Sequence, residues 1–283
     1  MEIKKVGVLG CGLMGSGIVQ TLAMSGVEVV VREAAEQYLD KGLGKIGKQL
    51  ARAVAKGKMS QEKADAVMAG ITGTLDLDDF ADCDAVIEAV TENLELKQEL
   101  WAALDKICKP ETIFASNTSS ILISKQAVVT ERKDQFIGMH FFNPVPVMKL
   151  VELIRTDETS DATYESILAL SATMGKKPVT CRDTYGFIVN RLLVPYLLDA
   201  IRALEAGIAS REDIDMGMKL GCGHPMGPLT LLDFVGLDTA LYIAGIMHDA
   251  FKLEHYKAPQ LLQTMVADGK LGAKSGQGFY SYR

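Results

Sequence analysis

The sequence runs to 283 residues, 48% of them apolar and 23% charged, the composition of a globular chain long enough for two domains. A net charge of −6 without any Lys/Arg run speaks against a nucleic-acid surface, and no apolar stretch approaches the roughly 18 residues of a membrane span. The N-terminal residues lack the apolar segment of a secretory signal, and the five cysteines are scattered without a C-x-x-C pair. The expectation is a soluble cytoplasmic protein with reduced thiols, no membrane and no metal, since the four histidines (140, 224, 248 and 255) also lack ligand spacing.

The first element is a short apolar strand, Val6–Leu9, which enters Gly10-Cys11-Gly12-Leu13-Met14-Gly15. A helical pattern (Ile18, Val19, Leu22) follows and stops at Ser25-Gly26, and Val27–Val31 is a second strand closing on Arg32-Glu33. Strand, G-x-G-x-x-G, helix, strand and terminal acid together form the context of a dinucleotide-binding turn. Gly10 permits the tight turn, Gly12 lets a pyrophosphate approach the backbone, and Gly15 lets the helix pack on the sheet. The helix N-terminus offers N–H groups and a positive dipole end to the phosphates. Glu33 accepts from the adenine-ribose hydroxyls, which favours NAD over NADP, although Arg32 beside it is the kind of residue that welcomes a 2′-phosphate.

Residues 36 to 56 read as a long helix ended by Gly57. Its C-terminal part and the residues just beyond are basic (Lys45, Lys48, Arg52, Lys56, Lys58), either as a solvated face or as an anchor for a phosphorylated substrate handle. Ser60 caps a helix over Gln61–Met68, and Asp76–Asp84 reads as a polar connection. Strands over Asp84–Val90 and Thr112–Ala115 flank a helix over Leu94–Cys108. In an open parallel sheet ligands bind outside the carboxyl ends of the strands, and Glu92, Asn117, Ser119 and His140 all fall at such ends.

His140 closes the apolar run around Phe136 and Ile137, ahead of Pro144 and Pro146. Twelve residues after it, Glu152 sits in a strand-like segment, Leu150–Ile154, on the face shared by Leu150 and Ile154. A carboxylate there is costly unless paired, and His140 is the nearest titratable candidate. The pair reads as an oriented general base, against the simpler alternative of a core histidine among aromatics.

A helix over Ala162–Met174 and a strand over Pro178–Cys181 precede a turn-rich break at Asp183–Gly186. Beyond it the pattern is helical: Phe187–Gly207, with Asn190 one turn in, then Glu212–Leu220 capped by Ser210, Leu229–Leu253 and Gln260–Asp268, with no strand until the Gly276–Tyr282 tail. The fold class expected is α/β, a Rossmann-type doubly wound sheet in residues 1–184 followed by a smaller all-α domain in 185–283. A nicotinamide site with a histidine–carboxylate pair implies alcohol–carbonyl redox, for which Ser119 and Asn190 are neutral donors to the reacting oxygen.

Six motifs then appear in order: Gly10–Gly15, Ala115-Ser-Asn-Thr-Ser-Ser-Ile121, Gly138-Met-His-Phe-Phe-Asn-Pro-Val-Pro146, Gly186-Phe-Ile-Val-Asn-Arg191, His224-Pro-Met-Gly-Pro228 and Lys274-Ser-Gly-Gln-Gly-Phe-Tyr280. Over essentially its whole length the chain resembles the L-3-hydroxyacyl-CoA dehydrogenase family, in particular the compact bacterial 3-hydroxybutyryl-CoA dehydrogenases of butyrate and fatty-acid metabolism. The resemblance implies that His140 is the acid/base, Glu152 its partner, and Ser119 and Asn190 the residues that hold the substrate's 3-oxygen. It implies NAD contacts from Gly10, Cys11, Gly12, Leu13, Met14, Gly15, Glu33, Glu92, Lys97, Ser119, Asn143 and Lys274, and coenzyme A contacts from Lys56 and Gln49. The family commonly carries aspartate where this chain has Glu33, which loosens the cofactor assignment. A homodimer formed through the helical domain is also implied. The competing readings are a dehydrogenase of free 3-hydroxy or sugar acids and a non-catalytic NADH-binding relative.

Overall fold

The computed structural model describes residues 1–282, which divide into two compact units, Met1–Thr184 and a second beginning at Tyr185.

Among the described residues of the first unit, eight strands form one sheet in the order β3-β2-β1-β4-β5-β6-β7-β8. They are β1 (Lys5–Leu9), β2 (Glu28–Arg32), β3 (Ile71–Thr74), β4 (Ala85–Glu88), β5 (Ile113–Ser116), β6 (Phe136–Phe141), β7 (Leu150–Arg155) and β8 (Lys177–Arg182). Pairing is parallel from β3 through β6, and β7 then runs antiparallel to β6. Strand order reverses between β1 and β4, the position at which an open sheet opens a ligand crevice.

One face of the sheet packs Val8, Val31, Ile87 and Met139 against α1 (Leu13–Met24), α2 (Glu36–Ala55), α3 (Gln61–Ala69) and α6 (Asp161–Thr173). Successive strand residues alternate between faces. The opposite face therefore carries Phe114 and Phe136, both at 4.9 Å from the Trp101 ring of α4 (Leu94–Ile107). A short helix, α5 (Ile123–Ala127), lies over β6 on that side, close enough that a Cβ at Gly138 would strike Ile123. His140 and Glu152 share this second face, two positions along from Gly138 and Ile154.

The second unit is helical: α7 (Val189–Glu205), α8 (Arg211–Cys222), α9 (Pro228–Val235), α10 (Leu237–Phe251) and α11 (Gln260–Ala267), around a core that includes Leu198, Ile201, Leu232, Ala244 and Leu262. No single described helix is long and apolar enough to cross a membrane.

The caps expected at Ser60 and Ser210 form as read, each hydroxyl accepting an N–H three residues on. Four elements differ from the sequence expectation. Leu229–Leu253 is not one helix: Gly236, at φ 98°, breaks it into α9 and α10, bent by 94°. The helix read as Phe187–Gly207 begins at Val189, because Gly186 (φ 79°) and Phe187 (φ 47°) are left-handed, so Asn190 is its second residue rather than one turn in. Strand β3 and helix α5 were not anticipated. In β3, Gly73 weakens the strand pattern; a Cβ there would lie 3.1 Å from Leu39 and Leu43 of α2.

Candidate active site

The glycine turn follows β1. Gly10 has φ +90°, open to glycine, and a Cβ there would meet the Ala89 carbonyl at 2.8 Å. A Cβ at Gly15 would collide with the Gly10 carbonyl, which is how the start of α1 comes to lie against the turn. Gly12 differs: a Cβ there would meet nothing within 4 Å, and as the N-cap of α1 it provides no side-chain cap. The helix end thus presents its N–H groups to an open space, which suits a pyrophosphate. The Cys11 N–H donates to Glu33 Oε1 at 2.6 Å, and the Ala34 N–H to Glu33 Oε2 at 3.2 Å. Glu33, Gly12, Tyr38, Lys41 and Lys45 line a groove of 340 Å³ between the turn and α2. Arg32 is turned aside, its Nε donating to the Leu75 carbonyl. The residues present therefore fit a dinucleotide, with the Glu33 carboxylate lining the groove. Burial first, and Glu33 second, push the Cys11 thiol up to about 11 despite Lys45, so it stays protonated.

The next carboxylate edge belongs to β4 and β5. Glu92, beyond β4, gathers the turn beyond β5: its Oε1 accepts the Ser119 N–H at 2.9 Å, the Ser120 N–H at 3.0 Å, the Ser120 hydroxyl at 2.8 Å and the Thr118 hydroxyl. Its Oε2 faces Lys97 Nζ at 3.0 Å. Burial pushes this carboxyl up, but Lys97 and the hydroxyls of Thr118 and Ser120 outweigh burial and hold it below its ordinary value. The Lys97 side chain is 1% exposed, so its ammonium stands behind Glu92. Asn117 joins the two strand ends by accepting the Phe141 N–H at 2.9 Å.

His140 and Glu152 are register partners across the antiparallel β6–β7 pair. Nδ1 lies 2.7 Å from Glu152 Oε2, and both side chains are buried. The Phe142 ring sits 4.7 Å from the imidazole, tilted by 52°. With the carboxylate ionised, Nδ1–H donates to it, which fixes the tautomer that carries its lone pair on Nε2. After His140 the loop through Asn143, which is exposed, is clasped by Lys176, whose Nζ donates to the carbonyls of Val145 and Met148.

The first unit thus brings together His140 with Glu152, Ser119 with Glu92 and Lys97, and Cys11 with Glu33. Gln49 is exposed on α2, in a second groove with Lys45, Lys48 and Arg52, while Lys56 is the C-cap residue beyond it. In the second unit Asn190 lies in the first turn of α7, and Lys274 is paired with Asp238. Sequence reasoning passed over Glu88 and Lys176. The in-strand carboxylate that singled out Glu152 was equally present at Glu88, whereas nothing in the local pattern marks Lys176. Among the described residues, no three His, Cys, Asp or Glu side chains are grouped as metal ligands.

Residues 5–184 match the 3-hydroxyacyl-CoA dehydrogenase NAD-binding domain, and residues 186–282 match the 3-hydroxyacyl-CoA dehydrogenase C-terminal domain. A probable 3-hydroxybutyryl-CoA dehydrogenase of Deinococcus radiodurans is 49% identical over 278 residues, covering 98% of this chain and 100% of its own. The 3-hydroxybutyryl-CoA dehydrogenase of Mycobacterium tuberculosis is 50% identical over 284 residues, covering 99% of each. The crystal structure of (S)-3-hydroxybutyryl-CoA dehydrogenase from Ralstonia eutropha superposes with a TM-score of 0.96 at 46% identity, over 100% of both chains.

Proposed function

Because the chain belongs to the 3-hydroxyacyl-CoA dehydrogenase family, we propose that it interconverts (S)-3-hydroxybutyryl-CoA and acetoacetyl-CoA with NAD(H), using His140 as acid and base. The observation that carries this reading is the buried 2.7 Å contact between His140 Nδ1 and Glu152 at the ligand edge of the sheet. When bound, the nicotinamide accepts or supplies the hydride. His140 takes the 3-hydroxyl proton in oxidation and returns it in reduction. Glu152 fixes the tautomer and offsets the charge of the imidazolium. Ser119 and Asn190 hold the 3-oxygen, where each donor to a developing oxyanion contributes about 2.7–4 kcal/mol.

The dinucleotide is held by the turn from Gly10 to Gly15, including Cys11, Leu13 and Met14, with Glu33 on the ribose. Glu92, Ser119, Asn143 and Lys274 complete its contacts, while Lys97, buried and bound to Glu88 and Glu92, acts from behind Glu92 instead of on the dinucleotide. The preference for NAD over NADP is supported by Glu33, which lines the groove while Arg32 is tied to the Leu75 carbonyl. Lys56 and Gln49 meet the coenzyme A handle, in keeping with the cationic side chains around Gln49 on α2. A homodimer through the helical unit is part of the same proposal, supported by Leu192, Ile208, Leu220 and Phe234, which the single chain leaves exposed. Butyrate or fatty-acid metabolism in the cytoplasm is the setting we assign it.

A steady-state assay of acetoacetyl-CoA reduction with NADH and with NADPH tests reaction, substrate and cofactor together. Turnover is expected with NADH, and His140→Gln is expected to depress kcat by at least about 10²-fold. Equal turnover of free acetoacetate would point to a dehydrogenase of free acids, and NADH binding without turnover to a non-catalytic relative.

A further inference from the structure

Beneath the Ser119 turn lies a buried carboxylate for which the reaction as described has no use. Glu88, the last residue of β4, is 0% exposed and reaches no ligand surface. Its two oxygens accept four hydrogen bonds: Lys97 Nζ at 2.7 and 2.8 Å, the Ser116 hydroxyl at 2.6 Å and the Val90 N–H at 2.8 Å. That fills the acceptor capacity of a carboxylate. Lys97 uses its third donor on Glu92 Oε2 at 3.0 Å.

Two arms run from Glu88 to the same turn. Along one, Glu88 centres the Lys97 ammonium, which draws Glu92 Oε2 and leaves Glu92 Oε1 to collect the Ser119 and Ser120 amides. Along the other, Glu88 accepts a hydrogen bond from the Ser116 hydroxyl, so that the Ser116 oxygen is turned to accept the Thr118 N–H at 3.2 Å. Without Glu88, Lys97 would be left with Glu92 alone and would compete with the amides for it, and the Ser116 hydroxyl would lose its orientation. Both changes act on residues 118–120, and neither touches the glycine turn.

We propose that Glu88 is a positioning residue for Ser119, acting through Lys97–Glu92 and through Ser116–Thr118 to fix the turn that presents the Ser119 hydroxyl. The consequence for catalysis rests on the reading of Ser119 as a holder of the substrate oxygen.

The test is hydrogen exchange of the ligand-free protein, read at individual amides, with steady-state kinetics beside it. In Glu88→Gln the Ser119 and Ser120 amides should exchange about tenfold faster, the equivalent of one charge-assisted hydrogen bond, while the β1 amides keep their rates. With acetoacetyl-CoA, kcat should fall about tenfold. Unchanged exchange at Ser119 and Ser120 would overturn the proposal. So would exchange that rises equally in β1, the mark of a general loss of stability. Should Glu88→Gln fail to fold, Ser116→Ala removes one arm without burying an unpaired charge, and is held to the same two readouts. If Ser119→Ala leaves kcat unchanged, the reading of Ser119 fails, and the exchange result still decides whether Glu88 sets the turn.

Discussion

Glu152 Oε2 meets His140 Nδ1 at 2.7 Å across an antiparallel strand pair, with the carboxylate wholly buried. Removing one partner of a buried pair typically costs about 3–5 kcal/mol. Glu152→Ala should therefore lower the melting temperature and kcat together. Glu152→Gln keeps the acceptor oxygen but not the charge that balances an imidazolium, so kcat should fall at least about 10²-fold with a smaller loss of stability. Thermal melts beside steady-state rates check the contrast; equal stability losses in the two variants would count against it.

The glycine turn separates a folding requirement from a binding requirement. Gly15→Ala forces a Cβ onto the Gly10 carbonyl and should destabilise the protein by about 1–3 kcal/mol. Gly12→Ala projects its methyl into open space, so the fold should be indifferent while the dissociation constant for NADH rises at least about tenfold. Denaturant unfolding and NADH fluorescence titration distinguish the two. A Gly12→Ala protein that binds NADH normally would remove the pyrophosphate from this position.

Glu33 accepts two backbone N–H groups at the groove, and Arg32 is occupied by the Leu75 carbonyl. Glu33→Ala should raise the KM for NADH about tenfold or more, leave that for acetoacetyl-CoA within about twofold, and narrow the preference over NADPH. Parallel increases in both substrates' KM would contradict a ribose role.

Glu92 gives a pH dependence with a definite sign. Its folded carboxyl lies below its ordinary value, burial being outweighed by Lys97 and the Thr118 and Ser120 hydroxyls. A depressed carboxyl adds stability that is present above the unfolded value and is lost as pH falls through the folded one. The melting-temperature gap between the wild type and Glu92→Gln should therefore be widest near neutrality and shrink as pH falls into and below the usual carboxylate range. Melting curves across that range check it, and a gap constant with pH would show that Glu92 acts by shape alone.

In the helical unit, Asp233 holds the C-terminal tail by accepting the Phe279 and Tyr280 N–H groups at 2.8 Å and the Tyr282 hydroxyl at 3.0 Å. Each buried donor left unsatisfied costs about 1–3 kcal/mol, so Asp233→Ala should destabilise this unit and expose the tail to limited proteolysis. Cleavage no faster than in the wild type would contradict the latch.

Much of this was legible in the sequence wherever a local constraint speaks. The Gly10–Gly15 turn shows itself because each glycine answers a steric demand and the flanking pattern switches from strand to helix. Glu152 shows itself because an in-strand carboxylate must find a partner. The Gly236 break was hidden because apolar periodicity runs through it from Leu229 to Leu253, while only the backbone angle of one residue betrays the bend. The Glu88 cluster was hidden for a different reason: Lys97 is 9 residues away and Ser116 is 28, so their meeting is a product of sheet order. Lys176 reaches 31 residues back to the Val145 carbonyl, and no period in the sequence encodes that.

The reversal of β7 against β6 has a consequence for folding fidelity. A slip of one residue in strand pairing turns every side chain to the other face. Here a slip of β7 would carry Glu152 away from His140 and at the same time pull Val151 and Leu153 out of the apolar core they now occupy. The His140–Glu152 contact and hydrophobic burial therefore demand the same alignment. A misaligned chain that has lost this contact has also lost the apolar contacts that would stabilise it.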